Sequence, residues 1–132
     1  MTVFIEFERR MRWADVDAAG RLHFPRIFEI VEEAETELLR KIGWSMFERP
    51  KEYDFPRVRI ECDFKRMIAL DAPFRLRLTV GQVGRSSIRY DFQAFLETGE
   101  LALEGAMTIV VLKNGKPSKI PSELRDALEG KF

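Results

Sequence analysis

The chain has 132 residues, enough for one domain with a real core and too few for two comfortable ones. Its 45% hydrophobic and 33% charged residues are ordinary for a soluble globular protein, and 22 Lys and Arg against 22 Asp and Glu leave no basic excess for nucleic acid. One cysteine, Cys62, excludes an internal disulfide, and one histidine, His23, leaves no His/Cys cluster for zinc.

Near-zero net charge gives little protection against self-association and fits an oligomer. The opening stretch Met-Thr-Val-Phe-Ile-Glu-Phe-Glu has an acid within its apolar run and no small-residue cleavage site, so it does not read as a secretory signal. No run approaches the roughly 18 apolar residues of a membrane span. A cytoplasmic protein with neither membrane nor nucleic acid as partner is expected.

Residues 3–13 alternate in part, Val3, Ile5 and Phe7 against Glu6, Glu8 and Arg10, which predicts a half-buried strand. Asp15-Val-Asp17-Ala-Ala-Gly20 then brings two carboxylates to a turn. From Phe24 to Ile42 the apolar period becomes helical: Phe24, Ile27, Phe28, Val31, Ala34, Leu38 and Ile42 form one stripe. The glutamates between Glu29 and Glu37 are expected on the solvated face. Pro25 suits the first helical position and Gly43 the C′ position.

Residues 44–56 form an aromatic-rich connection between prolines. Four strand-like runs follow, at 57–65, 74–80, 88–94 and 101–112. Hairpin signals separate them at Asp71-Ala-Pro73, Gly81 to Ser86 and Glu97 to Glu100. In the first run Cys62 falls on the apolar side, as a small core residue would. Asn114-Gly115 ends the sheet, and Pro121 opens a short helix to about Leu128. The order β, long α, four β, short α predicts an α+β domain over 1–132. A curved, mainly antiparallel sheet of five strands wraps the long helix.

The chemistry is concentrated in residues 15–25. A helix N-terminus offers free N–H donors that polarise a carbonyl, and a carboxylate facing it supplies a base or nucleophile. Read alone, Asp17 could equally be an Asx-turn or capping residue, and Asp15 a support for the turn. His23 lacks the Gly-x-Ser-x-Gly elbow that would make it part of a triad. Arg85, Ser86 and Ser87, after Gly84, fit either a hairpin tip or a phosphate contact. Lys65 and Arg66 have a weaker claim of the same kind. Trp13, Trp44, Phe47, Tyr53 and Phe55 fit core packing better than an acyl pocket.

The Asp-x-Asp-x-x-Gly motif, Phe24-Pro25, Glu32-Glu33-Ala34, Cys62-Asp63-Phe64-Lys65-Arg66, Gly84-Arg85-Ser86-Ser87 and Asn114-Gly115-Lys116-Pro117 lie in one order along nearly the whole chain. That order resembles the hotdog-fold acyl-CoA thioesterases, in particular the 4-hydroxybenzoyl-CoA thioesterase branch. The resemblance implies hydrolysis of an acyl-CoA thioester, with Asp17 as catalytic base or nucleophile and the Phe24 amide as oxyanion donor. It implies substrate contacts at Gly20, His23, Arg85, Ser86 and Ser87. Coenzyme A enters as part of the substrate, with no metal or other cofactor. It further implies a homodimer or homotetramer with sites between subunits, and admits acyl-carrier protein as the carrier. A non-catalytic acyl-CoA or carrier-protein binding module of the same fold is the alternative. A dehydratase fits less well, because His23 stands six residues beyond Asp17 without the pairing that chemistry uses.

Overall fold

A computed structural model describes residues 2–131. Strand β1 (Phe4–Arg10) leads through a single 3-10 turn into the long helix α1 (Arg26–Lys41). A two-residue strand β2 (Tyr53–Asp54) precedes β3 (Arg57–Phe64), β4 (Pro73–Val83), β5 (Ser87–Leu96) and β6 (Leu101–Val110). Short strands β7 (Leu112–Lys113) and β8 (Lys116–Pro117) and the helix α2 (Ser122–Leu128) close the chain.

The main sheet has the order β1-β4-β5-β6-β3, with every neighbouring pair antiparallel. This is the five-stranded α+β hotdog architecture, with α1 against the sheet. Alternation explains the packing. Phe74, Leu76 and Leu78 of β4, then Ile88, Tyr90, Phe92 and Ala94 of β5, are fully buried against Ile27, Val31, Ala34 and Leu38 of α1. Gly105 of β6 is essential to this layer. A Cβ there would stand 2.0 Å from the Glu61 carbonyl oxygen and 2.5 Å from the Phe92 ring.

Both ends of α1 follow from their residues. Pro25 sits one position earlier than expected, as the N-cap, with α-region dihedrals of φ −68° and ψ −21°. At the other end Gly43 takes φ +85°, the Gly43 amide donates to the Arg40 carbonyl and Trp44 to Leu39. That crossed pair is a Schellman motif, and only glycine takes the left-handed position without strain.

Several expectations are corrected. The first strand ends at Arg10 rather than at residue 13, because Arg12 and Asp15 close on each other as a 3-10 turn. The Asp71-Ala-Pro73 segment is not a hairpin: β3 and β4 lie at positions five and two of the sheet. The chain instead crosses beneath the loop before α1, where Leu22 N–H donates to Ile68, Leu70 to Gly20 and Asp71 to Met11. The last strand stops at Val110, and β7 joins β2 and β8 in a separate three-stranded sheet. Cys62 is half-buried, because β3 is an edge strand with its apolar side only partly covered. Trp13 and Phe47 are 81% and 90% exposed, respectively, and are not core. Glu35 does not share the solvated face of α1; it is 2% exposed.

Candidate active site

The loop before α1 is organised by Asp15. Its carboxylate is wholly buried; Oδ2 accepts from Arg9 Nη2 at 2.8 Å and from the Arg12 amide at 3.0 Å. Oδ1 accepts from Arg26 Nη2 at 2.8 Å and Nε at 3.1 Å. Burial would raise the Asp15 pKa, but the hydrogen bonds from Arg26 and Arg12 and the charges of Arg9 and Arg26 outweigh it. They hold the carboxyl below its usual range. With all its lone pairs turned to protein donors, Asp15 is a strut between β1 and the first residue of α1.

Asp17 lies two residues on, in a turn that its own side chain shapes. Its Oδ1 accepts from the Ala19 amide at 2.9 Å and more weakly from Arg21 at 3.5 Å. The Gly20 amide donates to the Asp17 carbonyl, and Gly20 takes φ +77°. One carboxylate oxygen is therefore tethered, while Oδ2 takes no hydrogen bond among the described residues.

At the mouth of α1 the backbone leaves one donor over. The Arg26, Ile27 and Phe28 amides are taken up by the carbonyls of His23, Phe24 and Pro25, and the His23 amide by Asp15. Pro25 has no N–H. Among the described residues, the Phe24 amide has no acceptor. Asp17 and Phe24 line one cleft of about 360 Å³, with Phe64, Lys65, Arg66 and Met67 on its other wall. Lys65 and Arg66 also reach Glu104 and Glu100, at 3.8 and 3.3 Å. Asp17, with its tethered carboxylate, and Phe24, with its unpaired N–H at the positive end of a helix, thus border one cleft.

Other residues singled out from sequence lie elsewhere. His23 is exposed, with its ring edge-on to Phe24 at 5.9 Å, and is not in the cleft wall. Gly20 is a hinge of the turn, its carbonyl accepting from Leu70. Arg85 and Ser86 lie in the β4–β5 turn and Ser87 opens β5; Arg125 of α2 donates to the Gly84 carbonyl, and the amide of Ile120, just before α2, donates to the Arg85 carbonyl. Ser87 pairs with Val110 of β6, whereas Phe64, in the cleft wall, pairs with Leu103. These partners are seven positions apart on one strand, about 23 Å. A single chain does not join the two.

Sequence reasoning missed one group. Arg57 pairs with Ile109 and Arg59 with Thr108, so Val58 is an extra residue in β3 and Arg57 turns to the helix side of the sheet. There it pairs with Glu35 of α1 and reaches Glu32 at 3.6 Å. Burial pushes the Glu35 carboxyl up to about 7, with Arg57 opposing and Glu32 adding to the rise. Glu35 lies four residues after Val31 and three before Leu38, so helical spacing alone puts it on the buried stripe. Among the described residues no three His, Cys, Asp or Glu side chains gather as a metal set would require.

Residues 11–128 match the model of the Thioesterase-like superfamily, and the chain belongs to that superfamily. It is a thioesterase. The 1,4-dihydroxy-2-naphthoyl-CoA hydrolase of Synechococcus elongatus is 26% identical over 130 residues, covering 94% of each chain. The structure of Slr0204, a 1,4-dihydroxy-2-naphthoyl-CoA thioesterase from Synechocystis, superposes with a TM-score of 0.88 at 20% identity over 95% of each chain. BH1999, a gentisyl-coenzyme A thioesterase, superposes with a TM-score of 0.83 at 23% identity, over 94% of this chain and 99% of its own. At that identity the two superpositions speak for the fold.

Proposed function

We propose that the protein hydrolyses an acyl-CoA thioester to the free acid and coenzyme A, with Asp17 and the Phe24 amide as its catalytic groups. The observation that supports this reading is the cleft that Asp17 and Phe24 both line, the one with a carboxylate oxygen and the other with an N–H that have no partner among the described residues. The thioester carbonyl oxygen binds at the Phe24 N–H. Asp17 Oδ2 takes a proton from a water whose oxygen adds to the carbonyl carbon, or it adds to that carbon itself as a mixed anhydride that water then cleaves. As the C–O bond forms, negative charge moves to the oxygen held by Phe24 and the helix dipole. Collapse breaks the C–S bond and releases the thiolate of coenzyme A, a good leaving group that needs no strong acid. The substrate is the only place where a cofactor structure enters. A cytoplasmic location fits a substrate of this kind.

The site is proposed to be shared between two copies. The seven large hydrophobic side chains exposed among the described residues are Trp13, Phe24, Phe47, Val58, Ile60, Phe64 and Met67. All but Trp13 lie on β3 or in the clefts at its two ends. β3 also offers an unpaired backbone edge. A two-fold, antiparallel pairing of β3 with its copy covers this surface. It also carries the Arg57 end of one chain, with the Arg85–Ser87 turn nearby, to the Asp17 end of the other. The nucleotide of coenzyme A then has Arg85, Ser86 and Ser87 within reach. Whether two such dimers join as a homotetramer is a question of mass, and acyl-carrier protein is a second form of thioester for the same chemistry. Relatives named for 1,4-dihydroxy-2-naphthoyl-CoA and gentisyl-CoA point to an aryl acyl group, in keeping with the 4-hydroxybenzoyl-CoA thioesterase branch.

Thiol release from a panel of aryl- and alkyl-CoA thioesters tests the reading. Asp17→Asn is expected to melt with the parent and to lose hydrolysis by a factor of about 1,000 or more. Parental rates in that variant would remove Asp17 from the chemistry. A parent without turnover that still bound acyl-CoA would favour the non-catalytic module.

A further inference from the structure

We infer that Phe47 of one copy closes the Asp17 cleft of the other, in a β3 pairing whose register Arg59 and Glu61 set, and that this ring limits the size of the acyl group the cleft accepts. The inference rests on the thioesterase reading and names a residue, supplied across the two-fold axis, that selects its substrate.

The register follows from charge. A two-fold pairing of antiparallel strands is centred on one residue, which meets its own copy while the residues flanking it meet each other. Along the regular part of β3, a centre at Arg59, Glu61 or Asp63 sets a charge against its own copy, and a centre at Cys62 sets Glu61 against Asp63. A centre at Ile60 places Arg59 opposite Glu61 twice on the outer face of the sheet, and Ile60 against Ile60 on the helix side. Opposite charges across two strands are favourable and like charges are not, so Ile60 is the centre. Within one chain Arg59 and Glu61 pair with each other at 3.2 Å, and both are exposed, so each is free to turn to the copy.

This register brings the Arg57 end of one strand beside Phe64 of the other. Phe47 stands at the Arg57 end, on the helix side of the sheet, where it lines a cavity with Glu32, Asp54 and Arg57. That cavity is charged and does not suit an acyl chain. The apolar surface is the Phe47 ring itself, which is 90% exposed. Its turn is braced: Arg49 donates to the Met46 carbonyl at 2.7 Å and to the Tyr53 carbonyl at 3.1 Å, and the Glu48 amide to Ser45 at 3.2 Å. A fixed turn thus holds out a large ring that its own chain leaves uncovered. Facing it across the axis are Phe24, Phe64 and Met67, the exposed apolar wall of the Asp17 cleft. Phe47 adds the wall that one chain lacks, and its bulk bounds the space beyond the thioester.

The test uses exposed positions, so its variants should fold. Arg59→Glu and Glu61→Arg should each weaken the dimer by about tenfold or more in Kd. An equal mixture of the two should restore the dimer mass, because the like charges of each variant meet their opposites in the other. Single variants that dimerise as the parent does, or a mixture as weak as its components, overturn the register. The same pair directs a substitution to a chosen chain. With Asp17→Asn added to Arg59→Glu, only the Glu61→Arg chain holds a working Asp17. Phe47→Ala is then placed in one chain or the other, and kcat/KM is measured on acyl-CoA thioesters of increasing size. In the chain carrying Asp17→Asn it should raise the ratio for large over small acyl groups by about tenfold or more. In the chain with the working Asp17 it should not. A shift that follows the working chain, a shift in neither, or an equal loss on every substrate overturns the inference. Should the parent release no thiol from any thioester, hydrolysis fails separately. Calorimetric binding of S-alkyl coenzyme A thioethers to parent and Phe47→Ala then decides the role of Phe47: a change of size preference upholds it, and its absence overturns it.

Discussion

Arg26, the first residue of α1, is locked to the buried carboxylate of Asp15 by two hydrogen bonds of 2.8 and 3.1 Å. The link fixes the direction of the helix relative to the Asp17 turn, and the Arg9 guanidinium on the other oxygen ties both to the sheet. The two acids of the motif divide their work: one is spent on architecture, and the other keeps an oxygen free.

Removing the charge of Asp15 leaves Arg9, 7% exposed at its side chain, without a counter-ion. Asp15→Asn is expected to cost about 3 kcal/mol or more and to lower Tm by roughly 10 °C in calorimetry. In the parent, the Asp15 pKa lies below its unfolded value, so its contribution is present above pH 4 and is lost as the solution is acidified through the folded pKa.

The oxyanion role of the Phe24 amide is testable because a backbone donor can be deleted. Phe24→Pro removes the N–H, and Phe24→Ala removes only the ring. Against Phe24→Ala, the proline variant should lose about 100-fold or more in kcat with a smaller change in KM. Equal rates for the two would show that another group holds the oxygen.

Glu35 should leave a signature in stability. Its pKa of about 7 exceeds the usual 4.5, so the folded chain holds this proton more tightly and unfolding releases it. Stability therefore falls as pH rises between those values and levels off above them, a loss on the order of 3 kcal/mol. Denaturation at pH 5 and pH 8 should show this difference between the parent and Glu35→Gln, which lacks the titration.

The apolar edge predicts assembly. Ile60→Lys puts a charge on the helix side of β3, where Ile60 is already 37% exposed, so the fold should tolerate it. Light scattering should give a dimer or larger for the parent and one chain for the variant, with hydrolysis lost alongside. A parent mass of one chain would refute the shared site.

How much of this was written in the sequence varies with the range of the forces involved. The helix, its glycine stop and the Asp17 turn are local, and their residues declare them. Strand order is not local. β3 has the same alternation as a core strand, and nothing in Val58, Ile60, Cys62 and Phe64 distinguishes an apolar side meant for α1 from one meant for another chain. The hairpin rule then misplaced β4 beside it. Glu35 was legible in part, since it falls on the stripe of Val31 and Leu38. Its partner was not, because one extra residue at Val58 reverses the side on which Arg57 stands.

Gly105 extends that dependence inward. With no room for even a methyl between it, the Phe92 ring and the Glu61 backbone, β6 and β3 ride on each other main chain to main chain. Any bulk introduced there would tilt the outermost strand and skew every surface aligned on it. Reaction geometry in this protein is thus sensitive to a position that carries no functional group at all.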